Sequence, residues 1–277
     1  MKTIVITGAS DGIGAAAAEK LCKAGHQVII VGRNPRKTEA VAQALHMPFH
    51  IADFARLEDV CRLASELSAY RRIDVLANNA GGMQSQRRLT EDGFEATFQI
   101  NALSPFLLTK LLMQKLCDSR AAVIQTTSIA ANLFGRKLDM ADLQNEKNFT
   151  PVKAYGEAKL CNILFTRELQ RRYGEKGICA AAFEPGIPRT NFASEASAFF
   201  RIAYHSPLKY LFTGTPEKSA DRMCFLALGT PGTDFIPGQI YSGKKLFSVR
   251  YPDDGTAAIK FWEQCENMVS AFGGANG

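Results

Sequence analysis

Two polar side chains, four residues apart, have the chemistry needed to move a proton. Tyr155 and Lys159 stand in the run Ala-Tyr-Gly-Glu-Ala-Lys-Leu, and a helix there would place both on one face, one turn apart. A free tyrosine has a pKa of ~10, and a neighbouring ammonium stabilises the phenolate and lowers that pKa toward neutrality. Such a tyrosine could protonate a carbonyl oxygen or deprotonate an alcohol. Because Tyr-x-x-x-Lys is frequent by chance, its meaning depends on the rest of the chain.

Ser128 is a candidate for the same reacting oxygen. It follows the apolar run Ala-Ala-Val-Ile-Gln-Thr-Thr, which predicts a buried strand. A hydroxyl at the end of that strand can donate a hydrogen bond to an oxygen on which negative charge develops. Together the three side chains indicate general acid/base chemistry at a carbonyl or alcohol.

A glycine-rich turn near the start of the chain predicts a nucleotide site. Residues 2–7 alternate β-branched and apolar side chains, and Gly-Ala-Ser-Asp-Gly-Ile-Gly then leads into an alanine-rich run, which predicts a strand, a turn and a helix. Gly8 would let the chain reverse, Gly12 would let the backbone approach a pyrophosphate, and Gly14 would let the helix pack on the strand. Phosphates are favoured at such a helix N-terminus. An ordinary glycine turn is the alternative, and the flanking strand and helix favour the dinucleotide.

The remaining elements alternate in the same way and predict the fold class. The pattern indicates a single α/β domain over residues 1–270, with a doubly wound parallel sheet of about seven strands and helices on both faces, followed by a flexible tail at 271–277. A long helical region is expected at 90–117, opened by Thr90 with Glu91 and interrupted near Pro105. The further strands are expected at 26–32, 47–51, 73–77, 121–127, 178–184 and 238–242, and the further helices at 15–23, 35–45, 57–70, 154–173 and 216–228.

The end of the second strand predicts which nucleotide is bound. A carboxylate there would hold the adenosine ribose of NAD and repel a 2′-phosphate, but this chain has Gly32 followed by Arg33, with Arg36 and Lys37 just beyond. A guanidinium can bind a phosphate bidentately. The sequence therefore favours NADP(H) over NAD(H). The alternative is that Arg33 only opens a solvated helix.

Composition excludes several other classes of function. The 277 residues are 46% hydrophobic and 22% charged, enough to bury the core of one α/β domain. The net charge of +6 comes from 33 basic residues scattered among 27 acidic ones, so no nucleic-acid partner is expected. The four histidines lack a metal-ligand pattern, and no metal site is predicted.

The cysteines and the hydropathy pattern predict a location. Seven cysteines, an odd number without a Cys-x-x-Cys pair, suit a reducing cytoplasm. No apolar stretch approaches the length of a membrane span, and the N-terminus enters the first strand directly. We expect a cytoplasmic protein without membrane contact.

These motifs together resemble the short-chain dehydrogenase/reductase family. The matching segments are Thr-Gly-x-x-x-Gly-x-Gly at 7–14, Asn-Asn-Ala-Gly at 78–81, then Asn101, Ser128, Tyr155 and Lys159 in family order, and Pro-Gly-x-x-x-Thr at 185–190. The resemblance implies hydride transfer between a nicotinamide and a carbonyl or alcohol. Tyr155 would be the general acid/base, Ser128 would hold the substrate oxygen, and Lys159 would hold the ribose hydroxyls. The backbone carbonyl of Asn101 would hold a relay water.

The same resemblance implies a set of cofactor contacts. Asp53 occupies the position that usually contacts adenine, although an ordinary helix N-cap is an alternative. The expected contacts are Gly8, Ser10, Asp11, Gly12, Ile13, Gly14, Arg33, Asp53, Phe54, Asn79, Ala80, Gly81, Tyr155, Lys159, Pro185, Gly186, Ile187 and Thr190.

Within the family, the chain resembles the retinol dehydrogenase-like branch, which includes protochlorophyllide reductases. The evidence is the long connection from Ser128 to Tyr155 and the run Phe-Leu-Leu-Thr at 106–109. A homodimer is expected, because helices around 106–116 and 155–169 carry apolar residues on more than one side and often pair in this family. An aromatic-rich segment at 191–215 predicts a lid over a bulky apolar aldehyde or ketone.

Two other functions share these residues. A regulator that binds NADP(H) without turnover would need the same nucleotide site. A reductase of carbon–carbon double bonds would use the same constellation. Retention of both Tyr155 and Lys159 favours the enzyme over the regulator.

Overall fold

The computed structural model describes residues 1–186, 215–251 and 255–272. These ranges contain one eight-stranded sheet in the order β3-β2-β1-β4-β5-β6-β7-β8. The first seven strands are parallel, and β8 adds an antiparallel edge to β7. The strands are β1 Thr3–Thr7, β2 Gln27–Gly32, β3 Phe49–Ile51, β4 Val75–Asn78, β5 Ala122–Thr126, β6 Cys179–Glu184, β7 Ile240–Ser242 and β8 Lys245–Leu246.

Helices cover both faces of the sheet, which confirms the doubly wound α/β fold predicted from the sequence. The helices are α1 Gly12–Lys23, α2 Pro35–Leu45, α3 Leu57–Ser68, α4 Ala96–Phe98, α5 Ser104–Leu111, α6 Met113–Asp118, α7 Ala130–Leu133, α8 Pro151–Tyr173, α9 Pro216–Leu228 and α10 Ala257–Met268. A π-helical turn spans Gln99–Leu103, and 3₁₀ turns lie at Met140–Asp142 and Ser270–Phe272. None of the helices in these described ranges has the length and apolar content to span a membrane.

The alternation of β1 places one apolar row on each face of the sheet. Val5 packs in the core under α3, α5 and α8, whereas Ile4 and Ile6 pack in the core under α1 and α9. Side chains at successive strand positions point to opposite faces, so a central parallel strand must be apolar throughout. Because β1 to β7 are parallel, their carboxyl ends all lie at the same edge of the sheet, which is called the polar edge below.

The helical region expected from Thr90 begins later, and the prediction of its start was wrong. Gly93 adopts a φ of +83° in a turn, and the buried carboxylate of Glu95 caps the first helical turn by accepting from the N–H groups of Thr97 and Phe98. Thr90 instead pairs with Gln99 through its hydroxyl. The interruption expected near Pro105 takes the form of the π-helical turn that precedes it, and a second break follows at Leu112.

The C-terminal part of the domain was not predicted. Helix α10 packs on α8, where Trp262 is 1% exposed and its ring contacts those of Phe106 and Phe165 at centroid distances of 4.9 and 5.7 Å. Phe261 is also fully buried. The helices expected to pair in a homodimer are thus packed against a helix of the same chain. Of the predicted tail, residues 271–272 belong to the last 3₁₀ turn, and residues 273–277 lie outside the described ranges.

Candidate functional site

The glycine turn has the backbone geometry that a phosphate site requires. Gly8 and Gly12 have φ values of +67° and +55°, which side chains with a Cβ rarely adopt. A Cβ on Gly14 would lie 2.4 Å from the carbonyl oxygen of Gly8, so only glycine lets α1 approach β1 this closely. Asp11 caps α1 by accepting from the N–H of Gly12 at 2.7 Å. Ile13 lies in the first turn of the same helix. The N-terminus of α1 therefore lies at the polar edge of the sheet, where its dipole favours a bound phosphate.

Thr7 and Asn79 tie this turn to the neighbouring strands. The Thr7 hydroxyl accepts from the N–H groups of Asn79 and Ala80, each at 3.0 Å. The Asn79 amide donates to the carbonyls of Thr7 and Gly8 at 3.0 and 3.3 Å, and its oxygen accepts from the Thr126 hydroxyl at 3.3 Å. The ends of β1, β4 and β5 are thus held together by side chains. Asn78, the first asparagine of the Asn-Asn-Ala-Gly segment, donates instead to the hydroxyl of Thr109.

A cavity of about 160 Å³ opens beside the glycine turn. Arg33 lines it at the end of β2, and Asp53 and Phe54 line it just past β3. Its position at the carboxyl ends of these strands is where an open α/β sheet binds a nucleotide. The cavity brings together seven of the predicted contacts, namely Gly8, Ser10, Arg33, Asp53, Phe54, Ala80 and Gly81.

The floor of this cavity excludes a side chain at position 32. A Cβ on Gly32 would lie 2.4 Å from the Thr38 hydroxyl and 2.9 Å from the Ser10 Cβ. No acidic side chain can therefore reach the ribose from this position without displacing its neighbours. Lys37 Nζ lies 3.1 Å from a carboxylate oxygen of Asp11, so α2 and the glycine turn are linked across the exposed rim of the site.

Asp53 forms a local turn and does not cap α3. Its carboxylate accepts from the N–H of Ala55 at 3.0 Å, and its carbonyl accepts from the N–H of Arg56. Arg56 occupies the N-cap position of α3, so the alternative that Asp53 is that N-cap was wrong. Phe54 is buried, and its carbonyl accepts from the Ser104 hydroxyl at 2.7 Å.

Tyr155 and Lys159 lie on one face of α8, as the spacing predicts. Lys159 Nζ is 5.5 Å from the centre of the Tyr155 ring and donates to the carbonyl of Thr126 at 3.0 Å. Lys159 is 3% exposed, and this burial lowers its pKa from 10.5 to about 7. The carbonyl of Lys159 accepts from the Thr127 hydroxyl at 2.7 Å, so β5 and α8 are joined at this point.

Ser128 lies two residues after the end of β5 and two residues before the start of α7. Its hydroxyl oxygen accepts from the N–H of Ala130 at 3.2 Å, which opens α7. Helix α7 packs tightly on α8. A Cβ on Gly156 would lie only 2.7 Å from the carbonyl oxygen of Ala130, so this contact requires glycine. Gly156 adjoins Tyr155, so Ser128 and Tyr155 are held on two contacting elements.

Asn101 lies in the π-helical turn and is fully buried. Its side-chain amide donates to the carbonyls of Gly82 and Thr97, each at 2.7 Å, and its side-chain oxygen accepts from the N–H of Gly82 at 3.2 Å. The residue four positions on is Pro105, which has no N–H to donate to the Asn101 carbonyl. In a π-helical turn the donor is the residue five positions on, which is Phe106, so the proposed role of the Asn101 carbonyl in holding a water stays a prediction.

Gly81 is the point where these groups converge. A Cβ there would lie 2.5 Å from the Asn101 side-chain oxygen and 3.1 Å from Lys159 Nζ. Pro185 and Gly186 follow β6 at the same edge of the sheet. Ile187, Thr190 and the expected lid up to residue 214 lie outside the described residues.

The structure adds residues that sequence reasoning missed. Thr126 lies at the end of a strand, where its hydroxyl resembles an ordinary β-branched position, and no sequence signal separates it. Thr7 opens the Thr-Gly-x-x-x-Gly-x-Gly motif, but the bonds of its hydroxyl with Asn79 and Ala80 were not predicted. Glu184 and Arg222 form an ion pair at 2.9 Å beside Gly186. A glutamate ending an otherwise apolar strand was the only signal for that pair.

The arrangement is suited to binding a dinucleotide along the polar edge and exchanging a proton at its far end. The cavity by Arg33 suits the adenosine half, and the bare backbone at Gly8 and Gly81 leaves room for the cofactor chain. Tyr155, Ser128 and Lys159 lie where the sheet continues beyond this cavity. The residues present therefore fit a nicotinamide dinucleotide.

Comparisons with known proteins agree with this geometry. A family model described as short chain dehydrogenase matches residues 2–199. A Streptomyces sp. strain C5 protein named as a candidate daunorubicin C-13 ketoreductase is 36% identical over 273 residues, covering 95% of this chain and 90% of its own. Human retinol dehydrogenase 13 is 31% identical over 281 residues, covering 97% and 84%. The crystal structure of a Mycobacterium paratuberculosis protein superposes with a TM-score of 0.77 at 29% identity, covering 98% and 94%.

Replacing the buried lysine should change how stability depends on pH. The folded-state pKa of Lys159 is about 7 and its ordinary value is 10.5, so between these values the unfolded cofactor-free chain binds more protons and stability rises with pH. The penalty for burying the charged lysine is complete below pH 7 and is relieved as the pH rises. Methionine carries no such penalty. We expect the advantage of Lys159→Met in unfolding free energy to be largest near about pH 6 and to shrink by up to ~1.4 kcal/mol per pH unit above 7.

Denaturant unfolding at several pH values measures this difference. Lys260→Met, at an exposed position on α10, is the matched control, and its difference from the wild type should stay constant with pH. A constant difference for Lys159→Met as well would contradict the effect of burial.

Proposed function

This chain belongs to the short-chain dehydrogenase family, in its retinol dehydrogenase-like branch, and we propose that it is an NADP(H)-dependent enzyme for bulky apolar aldehydes, ketones or the matching alcohols. Membership of the family supports hydride transfer at carbonyl and alcohol groups. The choice of NADP(H) and the class of substrate are our own inferences. The observation that carries the proposal is the Tyr155–Lys159 pair beside a nucleotide cavity lined by Arg33.

The proposed chemistry assigns one role to each side chain. Bound along the polar edge, NADPH would supply the hydride. Tyr155 would donate its phenolic proton to the carbonyl oxygen during reduction, or accept a proton from the alcohol during oxidation. Ser128 would hydrogen-bond the same oxygen as negative charge develops on it.

Lys159 and Asn101 would support Tyr155. A charged Lys159 lowers the pKa of a neighbouring phenol, and its ammonium would also hold the ribose hydroxyls. Burial lowers the pKa of this lysine to about 7 in the cofactor-free chain, and an acceptor or anion bound beside it would raise that pKa and favour the charged form. The Asn101 carbonyl would hold the water that resupplies the proton.

The preference for NADP(H) follows from charge and from packing. Arg33 lines the cavity, so its guanidinium can reach a 2′-phosphate there. The tight contacts around Gly32 leave no room for the carboxylate that would hold the ribose of NAD. The two features favour the same nucleotide for independent reasons.

The proposal of an apolar substrate is supported by α7. Three large apolar side chains directly after Ser128 are exposed, namely Ile129 at 40%, Leu133 at 57% and Phe134 at 40%. Helix α7 cannot shift easily, because Gly156 and Gly135 pack closely against each other and against its backbone. Removing apolar surface from water stabilises a bound ligand by ~25 cal/mol per Å². An apolar substrate would gain this contact and a small polar one would not.

Assembly and location are part of the same proposal. Helix α10 packs on α8 and contacts α5, the helices expected to pair in a homodimer, so we propose that any second copy binds another surface. The seven cysteines are all free, as a reducing cytoplasm would keep them. We therefore continue to propose a cytoplasmic location.

The first prediction concerns the nucleotide. NADPH should bind at least about tenfold tighter than NADH, equivalent to ~1.4 kcal/mol, and Arg33→Ala should remove most of the difference. Arg36→Ala is the matched control, because Arg36 is exposed on α2 and does not line the cavity. Fluorescence titration measures all six affinities, those of NADPH and NADH for the wild type and for each variant. Equal affinities in the wild type would disprove the preference.

The second prediction concerns the acid/base residue. Tyr155→Phe should abolish NADPH oxidation with every carbonyl in a broad panel and leave NADPH affinity within about twofold, since it removes only the proton donor. Tyr173→Phe on the same helix is the control and should stay active. A wild type that binds NADPH but oxidises it with no carbonyl would favour the regulator, and mass identification of a saturated carbon–carbon bond would favour the double-bond reductase.

The third prediction concerns the substrate. Leu133→Ser should lower kcat/KM for a long-chain or aromatic aldehyde about fivefold, or ~1 kcal/mol, and leave a short hydrophilic aldehyde unchanged. Leu228→Ser is the control, at a leucine of α9 that is 40% exposed. If the wild type prefers sugars or short hydroxy-ketones, the substrate class proposed here is wrong.

A further inference from the structure

The carboxyl end of β6 holds an ion pair between a buried carboxylate and a partly buried guanidinium, and no step of the proposed chemistry uses it. Glu184, the last residue of β6, is 5% exposed, and its Oε2 accepts from Arg222 Nη1 at 2.9 Å and from the Ser242 hydroxyl at 3.0 Å. The same Arg222 nitrogen donates to the Glu184 carbonyl at 2.5 Å. The pair thus joins β6, β7 and α9.

The turn that follows β6 is held by this cluster. The N–H of Gly186 donates to Glu184 Oε1 at 2.7 Å, and the carbonyl of Pro185 accepts from the Ser219 hydroxyl at 2.7 Å. Ser219 and Arg222 are three residues apart and therefore neighbours on α9. Gly186 has a φ of +83°, and a Cβ there would lie 3.5 Å from the guanidinium of Arg222. Side chains thus bind backbone groups of three consecutive residues.

The topology places this turn beside the reactive end of a bound dinucleotide. The cavity lined by Arg33 lies at the ends of β1, β2 and β3, whereas Lys159 bonds to the last residue of β5. Strand β6 pairs with β5, with Thr126 opposite Phe183. A cofactor that starts at Arg33 and delivers its hydride beside Tyr155 must therefore end next to residues 184–186.

We propose that Glu184, Ser219 and Arg222 are positioning residues that hold the Pro185–Gly186 turn against the nicotinamide half of the cofactor. This inference rests on the proposed function. Hydride transfer needs the reacting atoms aligned, and a misplacement of about 1 Å can lower a rate ~100-fold. A turn fixed by buried side chains supplies that alignment at no cost in ordering when the cofactor binds.

The experiment separates the two halves of the cofactor. The probes are 2′,5′-ADP, which reports the adenosine half, and NADPH, which reports both halves. The variants are Ser219→Ala, Arg222→Met and Arg222→Lys. The control is Arg172→Met, which removes an ion pair between Arg172 and the buried Glu168 on α8, away from the turn.

The expected result is a loss confined to the nicotinamide half. Ser219→Ala and Arg222→Met should weaken NADPH binding about fivefold or more and leave 2′,5′-ADP affinity within about twofold, and Arg222→Lys should recover part of the loss. In turnover, kcat should fall at least about tenfold, with a larger isotope effect from 4,4-dideuterated NADPH. Arg172→Met should lower Tm and leave unchanged both the ratio of NADPH affinity to 2′,5′-ADP affinity and the isotope effect.

The outcomes distinguish this inference from the proposed function. A wild type without turnover would overturn the proposed function, and the two affinities would still test the cluster. If the variants weaken the binding of 2′,5′-ADP and of NADPH equally, the cluster has a merely structural role and the inference is overturned. The same conclusion follows if their losses of affinity and kcat match those of Arg172→Met at the same Tm. If Arg222→Met does not fold, Ser219→Ala gives the same test, because it removes one hydrogen bond and keeps the ion pair.

Discussion

The hydrogen bond from Lys159 to the carbonyl of Thr126 is the constraint on which the site depends. A lysine that is 3% exposed loses most of its hydration, and its lowered pKa reflects that loss. It is tolerated because β5 ends at the point where a carbonyl can accept from it. The small residues around it follow from the same need, since Gly81 has room for no Cβ beside Lys159 and Asn101. The helix, the strand end and the Asn-Asn-Ala-Gly segment are therefore one unit.

Neutral hydrogen bonds hold the ends of three strands together. Thr7 and Asn79 connect β1, β4 and β5 without any charged group. Charged pairs lie at the two outer sides of this edge, with Asp11 and Lys37 near the cavity lined by Arg33 and with Glu184 and Arg222 near β6. Buried neutral bonds carry little desolvation penalty compared with buried charges. The ends of β1, β4 and β5 are therefore joined by neutral hydrogen bonds, and Lys159 is the titratable group buried beside them.

Sequence reasoning predicted what depends on local pattern. The β-branched runs set the parallel strands to within three residues, and the Tyr155–Lys159 spacing placed both side chains on one helical face. The prediction of where a helix begins failed when two nearby segments both had the composition of a helix start. Thr90 with Glu91 has the composition of a helix start, yet Glu95 makes the capping bonds. Sequence reasoning also failed where partners are distant in the chain, because nothing local links Trp262 to Phe106.

The packing around Gly32 has a consequence for how nucleotide preference could change during evolution. In a more open site, one substitution that places an acid at the end of the second strand would be enough to favour NAD. Here the Thr38 hydroxyl and Ser10 occupy that space, so the acid would first meet α2 and the glycine turn. An intermediate carrying only the acid would lose stability before it gained a new cofactor. The NADP(H) preference proposed above would therefore be protected by a barrier of coupled changes, because a switch to NAD would also require the neighbouring residues at positions 10 and 38 to become smaller.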